Sequence, residues 1–118
     1  MSVLSAVLLV IAGLYLVVTL TPVAFPRSPG DAAGRVRADE HGVPLIYWRP
    51  GCVFCLRMRF ALGPAGGRAV WVNIRRDPDA AARVRSVNDG DETVPTVFVG
   101  QQAHTNPAPR WVRGLLAG

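Results

Sequence analysis

"VPLIYWRPGCVFCLRMRFAL", Val43–Leu62, holds an apolar run, a break, both cysteines of the chain and a helix-forming stretch, in that order. The run VPLIYW is short and rich in β-formers, and "RPG" ends it. Phe54–Leu62 contains good helix formers and neither Gly nor Pro, until "GPAGG" stops it. The pattern predicts a strand and then a helix, with Cys52 at their junction. A helix N-terminus presents unpaired N–H groups and the positive end of the helix dipole, and both favour an anion. In Cys-x-x-Cys settings of this kind a thiol pKa falls from about 8.5 into roughly the 3.5–7.5 range. Cys52 is therefore the expected thiolate nucleophile. Cys55, one turn further in, is the expected buried partner, able to attack a mixed disulfide on Cys52. Arg49 before the pair, and Arg57 and Arg59 after it, would favour the thiolate if they lay near the sulfur.

The rest of the chain supplies the frame for that junction. Ala69–Ile74, "AVWVNI", reads as a second strand. "DPDAAARVRSVN" reads as a helix with Asp77 as N-cap and Pro78 in the first helical position. Thr96–Val99 reads as a third strand, and Gly100 opens a turn toward a short fourth around Gln102–His104. "TNPAPRWVRGLL" supplies another N-cap, at Thr105 or Asn106, and a last helix carrying Trp111, Val112, Leu115 and Leu116. The order is β-α-β-α-β-β-α, an α/β class. A helical crossover makes the first two strands parallel, and a tight turn makes the last two antiparallel. A four-stranded mixed sheet with helices on both faces follows.

A second constellation is "TVP", Thr93–Pro95, just before the third strand. An X–Pro bond is one of the few that adopts the cis form at modest cost, about 0.5–1 kcal/mol. A cis bond here would turn the Val94 backbone outward, where its N–H and C=O can pair with a bound thiol compound. Zinc usually takes four ligands, and only His41 and His104 remain, neither with ligand spacing to the cysteines. Two inert thiols would leave the strand-to-helix placement without a reason. Redox chemistry is the favoured reading; a metal or iron–sulfur module sharing thiolates between chains stays open.

The stretches "YWRPGCVFCLRMRFAL", "SVNDGDETVPTV" and "HTNP" before the last helix resemble the glutaredoxin family of the thioredoxin-like fold, and most closely its mycoredoxin members. The resemblance covers about residues 43–117. It implies that Cys52 attacks mixed disulfides between proteins and a low-molecular-weight thiol, releases the protein and retains the small thiol. A second molecule of that thiol then frees Cys52, so that Cys55 need not be essential. It also implies a thiol-docking edge at Thr93, Val94 and Pro95; Trp48 and Arg49 are candidates to line the approach, with a core or sheet-edge role equally open for Trp48. His104, Thr105 and Asn106 are secondary candidates. No bound cofactor is expected, only the small thiol as co-substrate. Glutathione-using members usually carry Gly-Gly and an acidic residue after the hairpin. "HTNPAP" stands there instead, which fits mycothiol better than glutathione. Val53 and Phe54 depart from the family's usual Gly-Tyr or Pro-Tyr. The rival activity is a dithiol reductase or oxidase of protein disulfides, which a reversed membrane orientation would put outside the cytoplasm.

Outside this domain the reading is coarser. From Ser2 to Pro26 there is no charged side chain, and Val3–Leu20 is interrupted only by Ser5 and Thr19. About 20 such residues cross a hydrocarbon core of roughly 30 Å. Residues 1–25 are thus expected to form a membrane anchor, retained rather than cleaved because no basic residue precedes the apolar run. Arg27, Arg35 and Arg37 follow the run, which places the domain on the cytoplasmic side of a single-pass protein. Residues 26–41, rich in Pro, Gly, Ala and charge, read as a linker with a short frayed helix near Ala32–Asp39, leaving 42–118 as the catalytic domain. All 13 basic residues are arginine, and the net charge is +5. No basic run alternates with aromatics in the manner of a nucleic-acid surface, so the excess reads as a solvated surface.

Overall fold

The computed structural model describes residues 2–117. Its elements are α1 (Val3–Ala24), α2 (Asp31–His41), β1 (Leu45–Trp48), α3 (Val53–Leu62), β2 (Val70–Asn73), α4 (Pro78–Val87), β3 (Thr96–Val99), β4 (Gln102–Thr105) and α5 (Pro109–Leu116). A 3-10 turn over Gly63–Arg68 links α3 to β2. From β1 onward the order is the one expected. The sheet runs β2-β1-β3-β4, with β1 parallel to β2 and antiparallel to β3, and β3 antiparallel to β4. This is a thioredoxin-like α/β fold.

Side chains alternate across the sheet. Ile46, Trp48 and Trp71 face α3 and the 3-10 turn, where the Trp71 indole N–H donates to the Gly66 carbonyl at 2.8 Å. Leu45, Tyr47 and Phe98 face α2 and α4; Arg83 of α4 lies over the Phe98 ring at 3.7 Å. Every residue of β1 and β2 is buried, so the first strand holds its C-terminal end, and with it the Cys52 loop, in a rigid frame. Asp77 caps α4 as predicted, accepting from the Asp79 and Ala80 N–H groups. Helix α5 is different: its N-cap is Ala108, with no side-chain cap. Thr105 instead donates its hydroxyl to Asn88 Oδ1.

Residues 26–41, expected to be a linker, are packed. α2 lies on β2 and β1, and Gly34 lets it approach, since a Cβ there would meet Val72 Cγ2 at 2.9 Å. Ser28 Oγ accepts from the Asn73 N–H of edge strand β2 at 2.8 Å, and Asp77 Oδ2 accepts from the Asp31 N–H at 2.6 Å. Tyr47 donates its hydroxyl to buried Asp31, and Arg83 donates to that same hydroxyl at 2.8 Å.

The membrane span expected over residues 1–25 is not found: among the described residues no helix is long and apolar enough to cross a membrane. The apolar segment does form α1. Phe25, assigned with that segment, belongs to the domain core instead. It is 6% exposed, stacked on Trp48 at 3.9 Å and edge-on to Trp71 at 5.2 Å. The single-pass and cytoplasm-facing assignments depended on the span and lose their basis with it.

Candidate active site

β1 ends at Trp48, and Gly51, at φ +80°, supplies the left-handed turn that sends the chain into α3. Cys52 is the N-cap of α3. Its Sγ accepts from the Cys55 N–H at 3.2 Å, one of the donors a helix start leaves unpaired. Across from it, the Val94–Pro95 peptide is cis, and Cys52 as a thiol donates to the Val94 carbonyl at 3.5 Å. Arg49 Nη1 donates to the Glu92 carbonyl at 3.1 Å, tying the Cys52 loop to the loop before Pro95. These two loops border an open groove of about 580 Å³ with Cys52 in its wall; Val53 and Phe54 form an apolar side, and Asp91, Glu92, Thr93 and Val94 the other.

The two thiols are unequal. Cys55 is completely buried, while Cys52 keeps 8% of its surface exposed at the groove. The Cys52 pKa is lowered to about 6, first by the hydrogen bond from the Cys55 thiol, then by the Cys55 N–H, the Arg49 charge and the Phe54 N–H, against a rise from burial. Cys55 moves far upward, because its proton is held in the bond to Cys52 and because it is buried. Both cysteines are free thiols.

Cys52, Cys55, Arg49, Thr93, Val94 and Pro95 come together as expected. Trp48 does not line the groove: it is 2% exposed, sealed under Phe25, and its indole N–H has no partner among the described residues. Arg59 donates to the Gly63 carbonyl and lies near the Trp71 ring, and Arg49 is the arginine whose charge acts on the sulfurs. His104 packs against Trp111 at 4.5 Å rather than in the groove. Sequence reasoning missed Asp91 and Glu92 as groove residues. Their position directly before "TVP" was the available signal, since the same fold that brings Val94 to Cys52 brings its neighbours. Among the described residues, no group of three or more His, Cys, Asp or Glu side chains is gathered as a metal ion requires.

A thioredoxin-like fold with an ionisable Cys-x-x-Cys cysteine facing a cis-proline loop defines a thiol–disulfide oxidoreductase. The Glutaredoxin family model matches residues 45–104, from the first strand to the last. Two proteins of Mycobacterium tuberculosis, "Putative glutaredoxin MT3292" of strain CDC 1551 / Oshkosh and "Putative glutaredoxin Rv3198A" of strain ATCC 25618 / H37Rv, are each 39% identical over 74 residues. That alignment covers 60% of this chain and 86% of each relative. The chain belongs to the glutaredoxin family.

Proposed function

We propose that the protein reduces mixed disulfides between proteins and a low-molecular-weight thiol by way of Cys52. The observation that carries this reading is the inequality of the two sulfurs: Cys52 caps α3 in the wall of a groove and accepts from the Cys55 N–H, which favours its thiolate, while Cys55 is completely buried. The Cys52 thiolate attacks the small thiol's sulfur in the mixed disulfide. The new S–S bond joins Cys52 to the small thiol, and the target protein leaves as a thiolate that takes up a proton. A second small thiol, as its thiolate, attacks the same small-thiol sulfur, forming the symmetrical disulfide and returning the Cys52 thiolate. One free small thiol is oxidised as the protein sulfur is reduced, while the small-thiol sulfur of the adduct passes from one disulfide to the next, so electrons balance.

In this cycle Arg49 and the Cys55 thiol hold the negative charge on Cys52, and the Thr93–Pro95 edge receives the small thiol. Mycothiol is the proposed co-substrate rather than glutathione, on the resemblance of the "HTNPAP" region to mycothiol users. The test is turnover of a peptide–mycothiol mixed disulfide by the wild type, Cys52→Ser and Cys55→Ser. Loss of at least about 100-fold is expected for Cys52→Ser, with most activity kept by Cys55→Ser. Full activity without Cys52 ends this mechanism. Loss with either substitution favours the dithiol route, which the hydrogen bond between the two thiols also permits.

A further inference from the structure

The charges around the groove do not cancel. Glu92 is held by Arg85, Oε2 to Nη1 at 3.2 Å, and offers its carbonyl to Arg49. The Arg49 charge in turn acts on the Cys52 sulfur. Asp91 also lines the groove, is exposed, and among the described residues makes no salt bridge. Its backbone is fixed: the Asp91 N–H donates to the Asn88 carbonyl at 3.0 Å, and the preceding Gly90 N–H to the Arg85 carbonyl at 2.9 Å. A carboxylate carried on this fixed turn, across the groove from the reacting sulfur, is an acceptor with no donor among the described residues. Facing it across the groove are the exposed side chains of Val53 and Phe54, 72% and 52% accessible.

We infer that Asp91 is a specificity residue: its carboxylate accepts from hydroxyl or ammonium groups of the small thiol and disfavours thiols that carry a carboxylate near the sulfur. A hydroxylated or aminated thiol would set its polar groups toward Asp91 and its C–H faces toward Phe54. An anionic thiol would meet like charge unless it turned into the adjoining cavity, where Arg75 stands beside Arg49. This inference rests on the mixed-disulfide reading above.

The test uses the full chain and one model peptide whose single cysteine is blocked in turn by cysteamine, 2-mercaptoethanol and 3-mercaptopropionate: a cation, a neutral alcohol and an anion of similar size. With kcat/KM measured at low ionic strength, the cysteamine and mercaptoethanol adducts should exceed the mercaptopropionate adduct by about fivefold, the scale of one exposed charge contact. Asp91→Asn should bring the three rates together, and so should high salt in the wild type, since exposed charges are screened. Asp89→Asn, in the same turn but outside the groove lining, should leave the order unchanged. Cys52-dependent turnover with equal rates, with no response to Asp91→Asn, or with the anionic adduct preferred through Arg49 and Arg75, overturns the role of Asp91 and leaves the activity standing. No turnover of any adduct, or turnover undiminished in Cys52→Ser, sinks the activity and the inference together.

Discussion

At Cys52 the sulfur is surrounded by groups that reward negative charge: the Cys55 thiol, the Cys55 and Phe54 N–H groups and the Arg49 guanidinium. The expected consequence is a rate of iodoacetamide capture that rises with a midpoint near pH 6. Cys55→Ala removes the largest of those stabilisations and should carry the midpoint up toward the ordinary thiol range, whereas Arg49→Gln should move it up less. The sign for stability follows from the same shift. A folded pKa of about 6 lies below the unfolded value of about 8.5. The thiolate's contribution is therefore fully present above the unfolded value and is lost as pH falls through 6. Reduced protein should gain stability between about pH 6 and 8.5, and Cys52→Ser should flatten that rise. A capture profile with its midpoint above 8 in the wild type would refute this account of the site. The residues that build it were legible because their chemistry is local: a cysteine at a strand–helix break, and a proline before a strand. For Trp48 the choice between approach and core stayed open because what covers it, Phe25, comes from a segment that composition assigned elsewhere.

Among the elements, α2 and the chain leading into it show why composition misled. The buried positions of α2 are Asp31, Gly34 and Ala38, an i, i+3, i+7 stripe with helical period. Its members are a carboxylate and two very small residues, so a search for large apolar side chains passes over it. Gly34 and Ala38 bury little area themselves, and Gly34 serves by letting the helix come close to Val70 and Val72. The anchoring comes from Asp31 with Tyr47, Ser28 with Asn73, and Phe25 with Trp48. β1, α3, β2 and β3, by contrast, announce themselves through aromatic, β-branched and aliphatic side chains. If the segment is part of the fold, Phe25→Ala should cost about 3 kcal/mol, the lower end for an aromatic deleted from a core. The check is equilibrium denaturation of the reduced protein followed by far-UV circular dichroism. A cost below about 0.5 kcal/mol would mean that the segment is the linker its composition suggests.

For the whole molecule, the exposed apolar surface of α1 dominates the energetics. Val3, Leu4, Leu8, Val10 and Leu14 are each more than half exposed, and so is Tyr15, and no charged residue lies in the helix. A helix that is apolar on all sides is ordinarily buried, and apolar area left in water costs about 25 cal/mol per Å². The catalytic groove does not depend on that surface, since none of its lining residues comes from α1. The two parts should therefore separate experimentally. In plain buffer the full chain should associate through α1, and mild detergent should disperse it. A variant beginning at Phe25, which keeps the Trp48 contact, should sediment as a monomer with an unchanged Cys52 titration. Sedimentation velocity with and without detergent reads the first outcome, and iodoacetamide capture the second. A full chain that remains monomeric without detergent would mean that α1 finds cover within its own molecule. A truncated variant with a displaced thiol midpoint would mean that α1 shapes the groove through its contact with α3, the helix that Cys52 caps.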